Sequence, residues 1–193
     1  LAAWGMNTEY TGPTSIEAVT EYPKSGFWDV HGDFMVKMEY KNGVTCYVNS
    51  EYPVVIKYEG TEGWISAGPG TYRVTSSDPV PINKNAKLLD ASDPKILSSE
   101  IKENEIHLYK ADSQHGNWLE CIKSRKLPIS PAEIGHRSCS VCLLSDIAMK
   151  LSRKLLWDPA EERFINDDEA NSMLSRHQRE PYSTEYIKNI KPC

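Results

Sequence analysis

Between Thr14 and Thr75 the chain alternates apolar and polar residues with a period of two, as in Thr14-Ser15-Ile16-Glu17-Ala18-Val19-Thr20-Glu21-Tyr22 and Phe34-Met35-Val36-Lys37-Met38-Glu39-Tyr40. Alternation of this kind turns one face of a strand to a core and the other to solvent. Asn42-Gly43 joins the second run to the one from Val44 to Ser50. Such a pair between alternating runs predicts a tight hairpin, because both central positions of the turn need positive φ. A further hairpin is read from Val54 to Glu59, through Gly60 to Gly63, into Trp64 to Ala67. These runs predict one antiparallel sheet of about five or six strands, the usual size.

The period then changes. Residues 76–111, punctuated by Pro79, Pro81 and Pro94, read as an irregular connection with one short strand at Lys87 to Leu89. From Asp112 to Arg125, Trp118, Leu119 and Ile122 fall at helical spacing, and Lys126-Leu127-Pro128 ends the helix. Ser130-Pro131-Ala132-Glu133 is a full helix-start signal: a capping Ser, a Pro at the first helical position and a following Glu. That helix is expected to run through Val141, Leu144, Ala148, Leu151 and Leu155 and to stop at Trp157-Asp158-Pro159. A last short helix is expected from Asp168 to Ser175. At the front, Leu1, Ala2, Ala3 and Trp4 followed by Gly5 read as the last turn of a helix that ends at the glycine. Strands first and helices after predict the α+β class: an open, mainly antiparallel β-sheet with helices packed on one face and the other face left to water or a partner.

Composition narrows the function classes. At 193 residues one well-buried domain is the expectation. The charge balance is 22 basic against 27 acidic residues, a net −5, which offers no basic surface for nucleic acid or anionic lipid. No apolar run approaches the roughly 20 residues needed to span a bilayer, so neither nucleic acid nor membrane is an expected partner. Five cysteines are too few for a disulfide framework in a chain this long, and reduced, buried thiols are expected.

The common chemical signatures are missing. The glycines at 60, 63, 68 and 70 do not form a phosphate loop between strand and helix, and no Gly-x-Ser-x-Gly or His-Glu-x-x-His occurs. His136, Cys139 and Cys142 invite a metal, yet on one helix the three drift around the axis, so buried helix packing is the better expectation and no metal is expected. The runs Glu161-Glu162 and Asp167-Asp168-Glu169 lie near helix starts, where capping and solvation account for them. His31, at a strand mouth, and His115 and His136, near helix starts, stand where loops at sheet ends collect functional groups.

Several ordered segments are similar to a known family: Trp4-Gly5-Met6 with Glu9 and Thr11-Gly12-Pro13, Tyr40-x-Asn42-Gly43-Val44, and Glu59-Gly60-Thr61-Glu62-Gly63-Trp64. The strongest is His115-x-Asn117-Trp118-Leu119-x-Cys121-Ile122-Lys123-Ser124-Arg125-Lys126. Ala132-Glu133-Ile134-Gly135-His136-Arg137-Ser138, Arg153-Lys154, Trp157-Asp158-Pro159 and Glu169-Ala170-Asn171 continue it in the same order. Together they resemble the Gfo/Idh/MocA oxidoreductases, the glucose-fructose oxidoreductase and inositol dehydrogenase relatives.

The resemblance implies the C-terminal domain only, with residues 1–12 as the end of an interdomain helix and linker and 13–193 as the substrate-binding and oligomerisation domain. It implies NAD or NADP in the full-length protein, held by an N-terminal Rossmann domain, with no cofactor in this chain. The catalytic pair is expected upstream of Leu1, leaving none here. It implies a sugar or polyol substrate, a homo-oligomer formed through the open sheet face, and a bacterial protein, cytoplasmic or exported. Under it the substrate-binding candidates are Glu9, Tyr10, His31, His115 and His136 as polar groups and Trp28 and Trp118 as aromatic walls, since hydroxyl-rich ligands need both. Two other functions fit the same segments: a free-standing carbohydrate-binding or scaffold module, and a glycoside-cleaving enzyme domain that uses its cofactor transiently.

Overall fold

The computed structural model describes residues 2–50, 56–68 and 89–184. The chain divides into two compact units, residues 1–12 with 49–140 and residues 13–48 with 141–193. The fold is α+β, with open antiparallel sheets and helices.

The second unit contains a five-stranded sheet in the order β3-β2-β1-β7-β8. Its strands are β1 (Ser15–Thr20), β2 (Phe34–Glu39), β3 (Thr45–Asn49), β7 (Leu155–Asp158) and β8 (Arg163–Phe164). The alternation read from the sequence is realised. Ile16 and Ala18 of β1 lie opposite Met38 and Val36 of β2, all buried, while Glu17 and Val19 face outward. Leu155 of β7 pairs with Ile16, and Trp157 packs edge-on against Phe164 of β8 with ring centroids 4.9 Å apart. Tyr40, Leu144, Ile147, Ala148 and Met149, the last four on helix α4 (Ala132–Leu151), and Ala170 of α5 (Asp168–Ser172) are buried in the same unit. At the β2–β3 turn the hairpin forms, but with positive φ at Gly43 alone (+86) and not at Asn42: Gly43 N–H donates to Tyr40 C=O at 3.0 Å and Tyr40 N–H to Val44 C=O at 2.9 Å, so three residues make the turn.

Two expectations are corrected here. The long helix does not reach Leu155. It ends at Leu151, where Ser152 adopts left-handed φ +50 with its N–H donating to Ala148 C=O at 2.9 Å, and Leu155–Asp158 becomes β7. Leu155 continues the helical apolar spacing, but it is buried as a strand residue opposite Ile16, so tertiary pairing overrides the local pattern. The strands also do not form one sheet. The β4–β5 hairpin belongs to a separate three-stranded sheet, and the free edge of β1 is taken by β7, from beyond the long helix.

The first unit holds that smaller sheet, β4 (Ile56–Gly60), β5 (Gly63–Ala67) and β6 (Leu89–Ala91), with α1 (Ala2–Gly5), α2 (Pro94–Leu97), α3 (Gln114–Ser124) and the N-terminal part of α4. The strand expected at Lys87 to Leu89 is described only from Leu89 onward; residues 87 and 88 and the parts of the hairpin before Ile56 lie outside the described residues. The expected last helix spans Asp168–Ser172. Gly5 is not the helix terminator that its sequence context implies. The left-handed residue is Asn7, at φ +54, and Gly5 is small because a Cβ there would run into the Tyr58 ring of β4.

Candidate functional site

Helix α3 carries the most distinctive sequence segment, and its start is built from side-chain hydrogen bonds. Ser113 caps the helix, its Oγ accepting Gly116 N–H at 3.0 Å. Asn117, one turn in, is buried at 6 % exposure. Its Nδ2 donates to the Tyr109 hydroxyl at 2.6 Å and its Oδ1 accepts Ile129 N–H at 3.0 Å. The amide therefore clasps the chain entering the helix to the chain leaving it. Tyr109 has no part in the sequence reading, and Asn117 enters it only as one position of the family-like segment from His115 to Lys126. The signal was available, since the break at Leu127-Pro128 leaves a following backbone N–H that needs an acceptor. A cleft of about 260 Å³ opens at this end of α3, lined by Lys110, Asp112, Ser113, Asn117 and Glu120 among others.

The candidates of the first unit take different positions. His115 is exposed and Trp118 is 61 % exposed, and neither lines the cleft. His136 is exposed on α4. Tyr10 is 59 % exposed, whereas Glu9 is half-buried and its Oε2 is buried with no hydrogen-bond partner. No hydrogen bond or ring contact joins Glu9, Tyr10, His115 and Trp118 to one another.

In the second unit His31 is placed by rings rather than by charge. Tyr22 and Phe34 pack edge-on against it, with centroids 6.3 and 5.1 Å away, and its Nδ1 lies 3.0 Å from Gly32 C=O. Gly32 N–H donates to Glu21 C=O at 2.9 Å and Thr20 Oγ1 to Asp33 C=O at 2.9 Å, so the base of the β1–β2 loop is closed. Beyond that base Trp28 is 78 % exposed. Burial and the neighbouring Asp146 carboxylate raise the Tyr22 hydroxyl pKa.

Two ionic groups stand out in the same unit. Glu39 accepts from Lys37 at 2.7 Å, Ser15 at 2.8 Å and Lys154 at 3.0 Å, and these hydrogen bonds, Lys37 foremost, bring its carboxyl down to about 2. Asp167 caps α5 by accepting Ala170 N–H at 3.0 Å and also takes the guanidinium fork of Arg153, which lowers its pKa to about 2. Capping was expected of this acidic run; the Arg153 fork, reaching across 14 residues and touching Glu169 as well, was not. Both groups tie elements together, Glu39 of β2 to Lys154 just before β7 and Arg153 to the start of α5.

Cys139 and Cys142 are exposed and Cys46 and Cys121 half-buried, so the expected burial of the thiols is corrected: the α4 face bearing them is turned outward. Among the described residues no three metal-ligating side chains converge. The strand pairings between β1 and β2, β1 and β7, β4 and β5, β5 and β6, and β7 and β8 are antiparallel, so the parallel strand–glycine turn–helix unit that cradles a dinucleotide is not found among them. The described residues do not fit a nicotinamide cofactor.

The architecture is thus that of an α+β domain without a nucleotide cradle among its described residues. The Gfo/Idh/MocA profile described as "Oxidoreductase family, C-terminal alpha/beta domain" matches residues 82–184, and the chain belongs to this family. A comparison with curated proteins finds no match. Among the described residues no helix is long and apolar enough to cross a membrane.

Proposed function

We propose that this chain is the substrate-binding and oligomerisation part of an NAD(P)-dependent oxidoreductase that acts on a sugar or polyol. The observation that carries this is the family match over residues 82–184. The nucleotide would be held by a Rossmann domain of the same protein, where it supplies hydride transfer. The residues of this chain would bind and orient the hydroxyl-rich substrate, with Glu9, Tyr10, His31, His115 and His136 offering polar groups and Trp28 and Trp118 aromatic surface.

The outward face of the five-stranded sheet supports self-association. By register Val19, Met35 and Leu156 share it with the Glu39 ionic group, and all three are exposed, at 71, 44 and 48 %. Apolar residues around a charged centre form a patch that a second copy can match about a two-fold axis.

Thermal melts of the chain with NAD, NADP and a panel of sugars and polyols test the proposal. A sugar or polyol should raise the melting temperature and neither nucleotide should, because a ligand that binds only the folded state must stabilise it. Stabilisation by a nucleotide would place the cofactor in this chain and overturn the division of labour. Sedimentation should find a dimer that Met35→Glu dissociates; a monomeric parent chain would remove the oligomerisation role.

A further inference from the structure

Two neighbouring stretches of the first unit leave large apolar side chains in water, and the charges beside them are opposite in sign. The connection before α3 exposes Ile101, Ile106 and Leu108, and α3 exposes Trp118, Leu119 and Ile122 on the side away from buried Asn117. All six are between 43 and 84 % exposed. Glu100, Glu103 and Glu105 stand around the first three with Lys102, while Lys123, Arg125 and Lys126 stand beside the second three, and all of these charged residues are exposed. Among the described residues Lys123, Arg125 and Lys126 make no ion pair, and neither do Glu100 and Glu103. In a chain of net charge −5, three adjacent cations left without a carboxylate mark α3 out.

Neither stretch is loose. Glu105 N–H donates to Lys102 C=O at 2.9 Å, Lys102 N–H donates to Glu105 Oε2 at 2.8 Å, and His107 Nε2 lies 3.0 Å from Lys102 C=O. Tyr109 is held to Asn117, and Arg125 takes left-handed φ +59 with its N–H donating to Cys121 C=O at 2.8 Å. Both surfaces are therefore formed before a partner arrives, which lowers the ordering cost of contact.

We propose that a second copy of this chain covers them: the acidic stretch of each copy lies on the basic face of α3 of the other, reciprocally about a two-fold axis. A contact of this kind needs two complementary patches on one chain, and both are present. Six side chains at about 100 Å² each approach the ~800 Å² that a standard interface takes from each partner. The charges disfavour other occupants. Packing α3 on α3 would set Lys123 and Lys126 against their own kind, and an anionic lipid or nucleic acid drawn to them would meet Glu100, Glu103 and Glu105 nearby. The contact belongs to the first unit and is separate from the outward sheet face of the second, so it stands or falls without the function proposed above.

Sedimentation of the full chain carrying Met35→Glu tests this, because that substitution removes association through the sheet. From about 5 µM to about 1 mM the chain should pass from monomer to dimer, and raising salt from about 50 mM to about 0.5 M should weaken the dimer. Two double variants in the same background reverse the charges: Lys123→Glu with Lys126→Glu, and Glu100→Lys with Glu103→Lys. Each alone should dimerise about tenfold or more weakly, while an equimolar mixture should recover the dimer, since every reversed face then meets its complement. Misfolded chains could not produce that recovery. Trp118→Ala should weaken the dimer as well. A Met35→Glu chain that stays monomeric up to about 1 mM, dimerisation indifferent to both reversals, or a mixture no stronger than its parts would each overturn the proposal. So would a mass that keeps growing past two copies, the mark of an open chain of contacts.

Discussion

The two compact units are held together by different means. In the second unit Ile16, Val36, Met38, Leu144, Ala148, Leu155, Trp157 and Phe164 are all buried, and each large side chain there contributes about 1.5–3 kcal/mol by leaving water. In the first unit Ile134 is the one buried apolar side chain among the described residues, and no residue of β4, β5 or β6 is buried. Directional bonds take over: Ser113 and Asn117 around α3, Asp93 capping α2, and Ser92, which donates its N–H to Trp64 C=O and accepts Trp64 N–H on its Oγ. Such bonds contribute about 0.5–1.5 kcal/mol net each. A segment secured this way can leave Tyr109, Trp118 and Leu119 exposed, at 51, 61 and 52 %, and still be positioned. The lesson is that hydrogen-bonded turns position a segment without consuming its apolar residues, whereas a packed core consumes them.

The largest expected effect tests this contrast directly. Met38→Ala, at a site 1 % exposed and opposite Ile16, should destabilise the chain by about 2–5 kcal/mol through lost burial and the cavity left behind. Ile65→Ala in β5, only half-buried, should lose less than about 1.5 kcal/mol. Urea denaturation of the two variants measures the difference, and equal losses would erase the distinction between the units.

A smaller effect probes the directional side. Asn117→Ala leaves the part-buried Ile129 N–H and the Tyr109 hydroxyl without their partner, and a loss of about 1–3 kcal/mol is expected. His115→Ala and Trp118→Ala, exposed neighbours on the same helix, should stay within about 0.5 kcal/mol of the parent chain. Melting curves of the three decide whether this segment is anchored by its amide or by its aromatic residues; a larger loss from Trp118→Ala would favour the rings.

How much of this was legible in the sequence follows the same divide. The alternation of Ile16 and Ala18 with Glu17 and Val19 gave the buried face of β1, and Asn42-Gly43 gave the hairpin, because both signals act between near neighbours. The helix read between Asp112 and Arg125, which spans Gln114–Ser124, was equally visible. What could not be seen was pairing across long separations. Nothing near Leu155 indicates that it meets Ile16, 139 residues earlier, so a strand was read as the end of a helix. Hydrogen-bonded anchors were missed for a related reason: in sequence Asn117 is an ordinary polar residue and Asp167 reads only as a helix cap, and it takes their distant partners Tyr109, Ile129 and Arg153 to show the ties they make. Of the candidate site, Glu9 emerged with a physical distinction that the sequence did not carry, an oxygen left without a donor.

The smallest expected effect sharpens the comparison from the side of charge. In the unit with the apolar core, Glu39 has its carboxyl lowered from 4.5 to about 2, first by the Lys37 hydrogen bond and then by Ser15 and Lys154. A carboxyl whose folded pKa lies below its unfolded value stabilises the fold at pH above the unfolded value, and loses that contribution as pH falls through the folded one. The contribution of Glu39 is therefore complete above pH 4.5 and vanishes on acidification toward about 2. Asp167, lowered from 3.8 to about 2 by Arg153, acts in the same direction over a narrower window. Both groups stand at a solvated surface, so the effect is modest and shrinks with added salt. Glu39→Gln should flatten the fall in melting temperature between pH 4.5 and 2 at low ionic strength, and 1 M salt should bring the parent chain toward the variant. Parallel acid limbs for parent and variant would show that Lys37, Ser15 and Lys154 hold Glu39 no more firmly in the folded chain than water does in the unfolded one, and the five-stranded sheet would then rest on its apolar core alone.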